Sequence, residues 1–205
     1  MATTLELETP HGPALAHLHP ADEPVAAMVL GHGAGGGVAA RDLVAATDVA
    51  RSLGVSVALV EQPYRVAGRR APPPARRLDA AWTAVVEHLL AEELRGLALV
   101  VGGRSSGARV ACRTAAATNA VGVLCLAFPL LPPRRSGAAA ADSRLPELEA
   151  VTVPTLVVQG DRDPFGMPPP GPRRAVARVR GNHSLRTDLG SVAAAVEDWL
   201  SALVG

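Results

Sequence analysis

Aromatic side chains are nearly missing, with two Trp, one Tyr and two Phe making 2% of the 205 residues. So few flat faces leave little on which nucleic-acid bases could stack. A formal net charge of +1 likewise excludes binding driven by bulk positive charge, and no nucleic-acid partner is expected. No stretch approaches the roughly 18 apolar residues that span a membrane, so no membrane partner is expected. Met1 to Pro10 has neither a basic n-region nor an apolar h-region, and a cytoplasmic location is expected. Cysteine is as scarce. Cys112 and Cys125 fall in apolar elements and lack metal-type spacing, which points to buried thiols rather than a disulfide or a metal site. No internal repeat is visible, and the sequence says nothing of oligomeric state.

What is present is apolar and punctuated. The length and 48% hydrophobic content fit one domain, residues 1–205, with a full core. Alanine, glycine, proline and arginine dominate, a bias that cautions against reading a role into each Arg. Apolar runs alternate with helical stretches, the signature of an α/β fold whose mostly parallel twisted sheet has helices on both faces. Thr4–Glu8 and Ala14–His19 read as a leading hairpin. Strands follow at Val25–Gly31, Val55–Val60, Leu97–Val101, Val121–Phe128, Val153–Gln159 and Ala175–Val179. Helical periodicity covers Arg41–Leu53, Leu78–Leu94, Ala108–Thr118 and Val192–Val204. Glu61–Arg77 reads as irregular, and prolines at 168, 169, 170 and 172 break the helix otherwise expected before the last strand.

Gly103-Arg104-Ser105-Ser106-Gly107 sits between an apolar strand and a helix. A serine in so sharp a turn holds its hydroxyl above the sheet, at the N-terminus of its own helix. Small residues must flank it, and Gly103 and Gly107 do so for Ser105, whereas choosing Ser106 would place Arg104 at the crowded position. Ser105 is therefore the candidate nucleophile. The pentad alone is a weak signal in a chain with 20 glycines, and its strand–helix setting strengthens it.

A serine alcohol needs a base to take its proton and a carboxylate to orient that base. Asp163 follows the penultimate strand in Gln-Gly-Asp-Arg-Asp-Pro-Phe-Gly, and His183 follows the last strand in Gly-Asn-His-Ser. The order Ser, Asp, His suits a parallel sheet whose loops converge at the carboxyl ends of the strands. Asp161 is the rival carboxylate, closer to the strand end and better placed to cap the turn. The loop Gly31-His32-Gly33-Ala34-Gly35-Gly36-Gly37 follows another strand, and glycines there let backbone N–H groups face the nucleophile. The backbone N–H groups of Ala34 and Ser106 are the expected oxyanion hole. A phosphate-binding loop is the alternative reading. It lacks a G-K-[ST] ending or a full G-x-G-x-x-G context, although Glu61 does end the next strand as a dinucleotide site would require.

Together the Gly-His-Gly-Ala-Gly-Gly loop, the Ser105 elbow, Asp-Pro-Phe-Gly and Gly-Asn-His-Ser resemble the α/β-hydrolase fold. Gly102-Gly103-Arg104-Ser105, Pro63-Tyr64-Arg65 and Leu78-Asp79-Ala80-Ala81-Trp82 are similar to the small lidless group near the dienelactone hydrolases, which includes a subunit of the human NSL histone-acetyltransferase complex. The resemblance implies catalytic Ser105, Asp163 and His183, no cap domain and no cofactor; no metal is expected. The chain departs from that pattern at Ser106-Gly107-Ala108, where Met-Gly-Gly is more usual.

A segment as short as Pro129–Ala150 leaves no room for a substantial cap, which favours small soluble esters or thioesters. Arg65, Arg69, Arg70, Arg76, Arg77, Arg104, Arg134 and Arg135 follow strands at the catalytic edge. They fit either an anionic substrate, with Arg104, Arg65 and Tyr64 as its binding residues, or a solvated arginine-rich rim. Two functions follow: a serine hydrolase working through an acyl-enzyme, and a non-catalytic interaction module that retains the fold.

Overall fold

The computed structural model describes residues 3–132 and 142–205. Its strands are β1 (Thr3–Leu7), β2 (Ala14–His19), β3 (Ala26–Gly31), β4 (Val55–Glu61), β5 (Ala98–Arg104), β6 (Gly122–Leu126), β7 (Thr155–Gly160) and β8 (Arg174–Val179). Its helices are α1 (Arg41–Ser52), α2 (Pro63–Val66), α3 (Ala75–Ala91), α4 (Ser106–Thr114), α5 (Leu145–Glu149) and α6 (Leu189–Val204). The strands form one sheet in the order β1-β2-β4-β3-β5-β6-β7-β8. β1 and β2 pair antiparallel, as do β2 and β4, and all the later neighbours pair parallel.

Strands β3, β6 and β7 are buried along their whole length, as a parallel sheet between two helical layers requires. Alternation divides their side chains between two cores. On one face Met28 and Leu30 meet Leu43 and Ala46 of α1 and Val196 and Leu200 of α6. On the other, Ala27 and Val29 meet Trp82 and Val86 of α3 and Ala108 and Ala111 of α4. Cys112 and Cys125 are buried free thiols, their sulfurs 3.5 Å apart.

Two local expectations change. The span 61–77 is not wholly irregular, because Pro63 supplies the fixed φ of a first helical position and α2 forms on it. Helix α3 begins at Ala75, directly after Pro74, and not at Leu78. The prolines between β7 and β8 do exclude a helix there, and between β6 and β7 the described residues contain α5 alone. Arg134 and Arg135 lie outside the described residues.

β3 lies between β4 and β5, so the chain leaves β3 toward one side and returns to β5 on the other. That reversal opens a crevice at the carboxyl ends of β3 and β5. The glycine loop and Ser105 both emerge there.

Helices α3, α4 and α5 are tied beside the crevice by charge. Arg109 Nε and Nη2 donate to Glu147 at 2.8 and 2.6 Å, and Arg113 Nε and Nη2 donate to Asp79 at 2.9 and 2.6 Å. Burial pushes the Glu147 carboxyl up, but Arg109 and then Arg113 outweigh it and leave it below the ordinary 4.5. A carboxylate depressed on folding stabilises above its unfolded pKa and loses that contribution as pH falls through the folded value. Glu147→Gln should therefore cost about 1–3 kcal/mol at neutral pH. The difference from wild type should shrink below pH 4.5, where Glu147 itself takes up a proton. Urea unfolding of both proteins across that range checks it.

Candidate active site

β5 ends at Arg104, α4 begins at Ser106, and Ser105 between them has φ 53° and ψ −106°. A non-glycine residue holds such angles only when its surroundings enforce them. Here the Ser105 N–H donates to the Leu126 carbonyl at 2.9 Å, pinning the turn to β6. A Cβ on Gly103 or Gly107 would run into the Gly31 carbonyl. The elbow is thus pressed against the end of β3, which is why both flanks are glycine.

Ser105 Oγ lies 2.9 Å from His183 Nε2, and His183 Nδ1 lies 2.8 Å from Asp163 Oδ2. The residues expected from sequence meet as one hydrogen-bonded chain. The Asp163 side chain is 1% exposed and its other oxygen accepts the Phe165 N–H at 2.9 Å. Two further side chains, Gln159 and Phe165, hold this pair in place. Gln159, fully buried in β7, has Nε2 2.8 Å from Asp163 Oδ2 and also within reach of the Phe128 and Gly166 carbonyls, at 3.1 and 2.9 Å. Phe165 sets its ring edgewise to His183, with centroids 4.5 Å apart, and limits how the imidazole can turn. Asp161 Oδ1 accepts the Gly181 N–H at 2.8 Å, the turn-capping role its position suggested.

The glycine loop is held from behind. Buried His32 donates from Nδ1 to the Gly33 carbonyl at 2.8 Å while its Nε2 accepts the Gln62 N–H at 3.1 Å. Burial lowers its pKa, which keeps the ring neutral and able to accept. Because C=O and N–H of a trans peptide point in opposite directions, fixing the Gly33 carbonyl aims the Ala34 N–H the other way. The Ala34 carbonyl accepts the Tyr64 hydroxyl at 2.8 Å, and burial pushes that phenol up to about 12, so it remains a donor. Among the described residues the N–H groups of Ala34 and Ser106 have no backbone acceptor outside helices and strands.

Ser105, His183, Ala34 and Ser106 open onto a cleft of about 690 Å³. Arg41, Arg104, Arg109, Arg144 and Arg186 also line it, against the single carboxylate of Asp42. Arg104 pairs with Asp42 and Arg109 with Glu147. Arg144 donates to the Pro129 carbonyl at 3.1 Å, and burial, then the neighbouring Arg109, pull its pKa down. Tyr64 and Arg65, expected as substrate contacts, are not in the cleft wall. Helix α2 turns Tyr64 onto the loop, and Arg65 donates to the Arg69 carbonyl at 3.3 Å. Among the described residues no three His, Cys, Asp or Glu side chains are grouped to hold a metal, and no helix is long and apolar enough to cross a membrane.

Residues 24–187, which hold the elbow, the glycine loop, Asp163 and His183, match the family model of the alpha/beta hydrolase domain. The chain belongs to the alpha/beta hydrolase domain family. No curated protein sequence matches it. Solved structures share the hydrolase fold at low identity. XC6422 from Xanthomonas campestris, an α/β serine hydrolase without lid, is 19% identical with TM-score 0.77, over 98% of this chain and 94% of that one. Est1E from Butyrivibrio proteoclasticus is 17% identical with TM-score 0.78, over 98% of each chain. Dienelactone hydrolase from Anabaena variabilis is 14% identical with TM-score 0.76, over 99% and 98%.

Proposed function

We propose that this α/β hydrolase is a serine hydrolase that cleaves small carboxylic esters or thioesters through an acyl-enzyme. The observation that carries this reading is the chain Ser105 Oγ, His183 Nε2, His183 Nδ1, Asp163 Oδ2, with both links within 2.9 Å and its serine end open to the cleft. Oγ attacks the substrate carbonyl carbon as its proton passes to Nε2, and the carbonyl oxygen takes the charge facing the Ala34 and Ser106 N–H groups. The protonated His183 then gives its proton to the departing alkoxide or thiolate. Water, deprotonated by the same nitrogen, releases the acid and frees Ser105. Asp163 holds the imidazole with its proton on Nδ1 throughout.

A fluorophosphonate probe tests this reading, since it reacts only with an activated serine. Wild-type protein should be labelled, with the adduct on the peptide containing Ser105. An intact fold with no labelling and no ester turnover would instead favour the interaction module that the resemblance to the NSL-complex subunit raised.

The cleft also supports a preference for an anionic substrate. Arg104 and Arg109 already have carboxylate partners, so the free positive charge rests on Arg144, with Arg41 and Arg186 beside it. Residues 1–2 and 133–141 include no Asp or Glu that could neutralise them. Guanidinium forks would grip a carboxylate or phosphate on the substrate. Arg144→Gln should lower kcat/KM for a hemisuccinate ester about tenfold or more, from a charge-assisted bond of roughly 1.5–3 kcal/mol. A neutral ester of equal length should change less than twofold, and salt should erase the wild-type preference. Equal losses on both esters would sink the preference.

A further inference from the structure

Arg104 is engaged on three sides by segments distant in the chain. Its Nε lies 2.9 Å from Asp42 Oδ2 at the start of α1, and its Nη2 donates to the His183 carbonyl at 2.9 Å. Its Nη1 packs so close to the glycine loop that a Cβ on Gly33 would sit 2.9 Å away. Asp42 is itself fixed, 1% exposed, with Oδ1 accepting the Leu43 N–H at 3.1 Å. Among the described residues Oδ2 has no aligned hydrogen-bond donor, so its link to Arg104 is an ion pair. Burial pushes the Asp42 carboxyl up, and the Arg104 charge is the largest influence opposing that rise. The two groups therefore depend on each other.

His183 follows β8, three strands across the sheet from β5, so its distance to Ser105 is not set by strand pairing. Among the described residues the other backbone hydrogen bonds of its loop run within it, to the turn at Asp161 and Arg162, or to the first turn of α6. The Arg104 fork is what joins the His183 main chain to the strand bearing Ser105.

We propose that the Asp42–Arg104 pair is a positioning device that holds the His183 backbone against β5, keeping Nε2 aligned on Ser105 Oγ. Its catalytic consequence rests on the hydrolase reading. Its structural content does not. A drift of about 1 Å between reacting groups costs on the order of 10²-fold in rate. Lysine cannot replace arginine here, because one ammonium has no planar fork to serve a carboxylate and a carbonyl together.

The test compares Arg104→Lys, Asp42→Asn and the double variant on a neutral ester and on a hemisuccinate ester of equal length, each corrected for folded fraction by thermal unfolding. Arg104→Lys should lose about 30- to 100-fold in kcat with KM within about twofold. Asp42→Asn, which retains the fork, should lose about five- to tenfold, and the double variant should be no worse than Arg104→Lys, as expected when both act through one contact. Proton NMR supplies a readout that needs no turnover. The downfield Hδ1 signal of the imidazole bonded to Asp163 should broaden or shift in Arg104→Lys. An unchanged kcat and an unchanged Hδ1 signal would overturn the proposal. So would a KM rise confined to anionic esters, which would make Arg104 a substrate ligand, or a loss of kcat fully accounted for by unfolding. If wild type shows neither labelling nor turnover, the hydrolase reading fails while the Hδ1 comparison still decides the brace.

Discussion

Ser105→Ala should remove ester turnover almost entirely, with kcat falling about 10⁶-fold, toward the residual rate left by binding and oxyanion stabilisation. The size follows from how much chemistry passes through one oxygen. Without Oγ no acyl-enzyme forms, and His183 and Asp163 have nothing to activate except stray water. KM should move only a few-fold, since the cleft walls and the Ala34 and Ser106 N–H groups stay in place. Folding should survive as well, because alanine at φ 53° meets the same backbone constraint as serine. Ser105→Gly sharpens the test in the opposite direction. Glycine occupies positive φ without steric cost, so this variant should be as inactive as alanine yet about 1 kcal/mol more stable. Loss of activity with a gain in melting temperature would show that the strain at the elbow serves the hydroxyl. Retention of more than about a thousandth of wild-type kcat in both variants would rule Ser105 out as the nucleophile.

The alternation of buried strands with amphipathic helices was legible because a parallel sheet needs both faces apolar, and that requirement leaves a pattern in the chain. Ser105, Asp163 and His183 were legible for a related reason. Loops at the carboxyl ends of parallel strands gather on one edge, so position along the chain implies nearness in space. The helix α2 was hidden because prolines and glycines on either side read as loop, although Pro63 was a usable start signal. Arg104 shows a different kind of limit. Adjacency to Ser105 suggested a substrate contact, yet its partner is Asp42 on α1, and no local pattern encodes a side chain's choice between cleft and neighbour. Gln159 looked like one more residue of a buried strand. A glutamine inside an otherwise apolar run was the available signal, since a buried amide must find partners.

Asp163→Asn should lower kcat by about 10⁴-fold, because the hydrogen bonds around that carboxylate decide how asparagine will sit. Oδ1 accepts the Phe165 N–H, a main-chain donor with no other acceptor among the described residues. Oδ2 accepts from His183 and Gln159. The Gln159 amide has two hydrogens and three acceptors within reach, so it can give up one of them and keep the Phe128 and Gly166 carbonyls. Asparagine therefore keeps its oxygen on Phe165 and turns its NH₂ toward His183. An NH₂ facing Nδ1 demands that Nδ1 accept, which moves the imidazole proton to Nε2. A protonated Nε2 cannot take the proton of Ser105. The variant should fold, bind substrate with KM within a few-fold, and label with a fluorophosphonate about 10⁴ times more slowly than wild type. Asp161→Asn is the matched control, since that carboxylate caps Gly181 and lies outside the proton path. It should keep kcat within about threefold and cost roughly 1 kcal/mol of stability. If the two variants exchanged these behaviours, Asp161 would be the residue that orients His183.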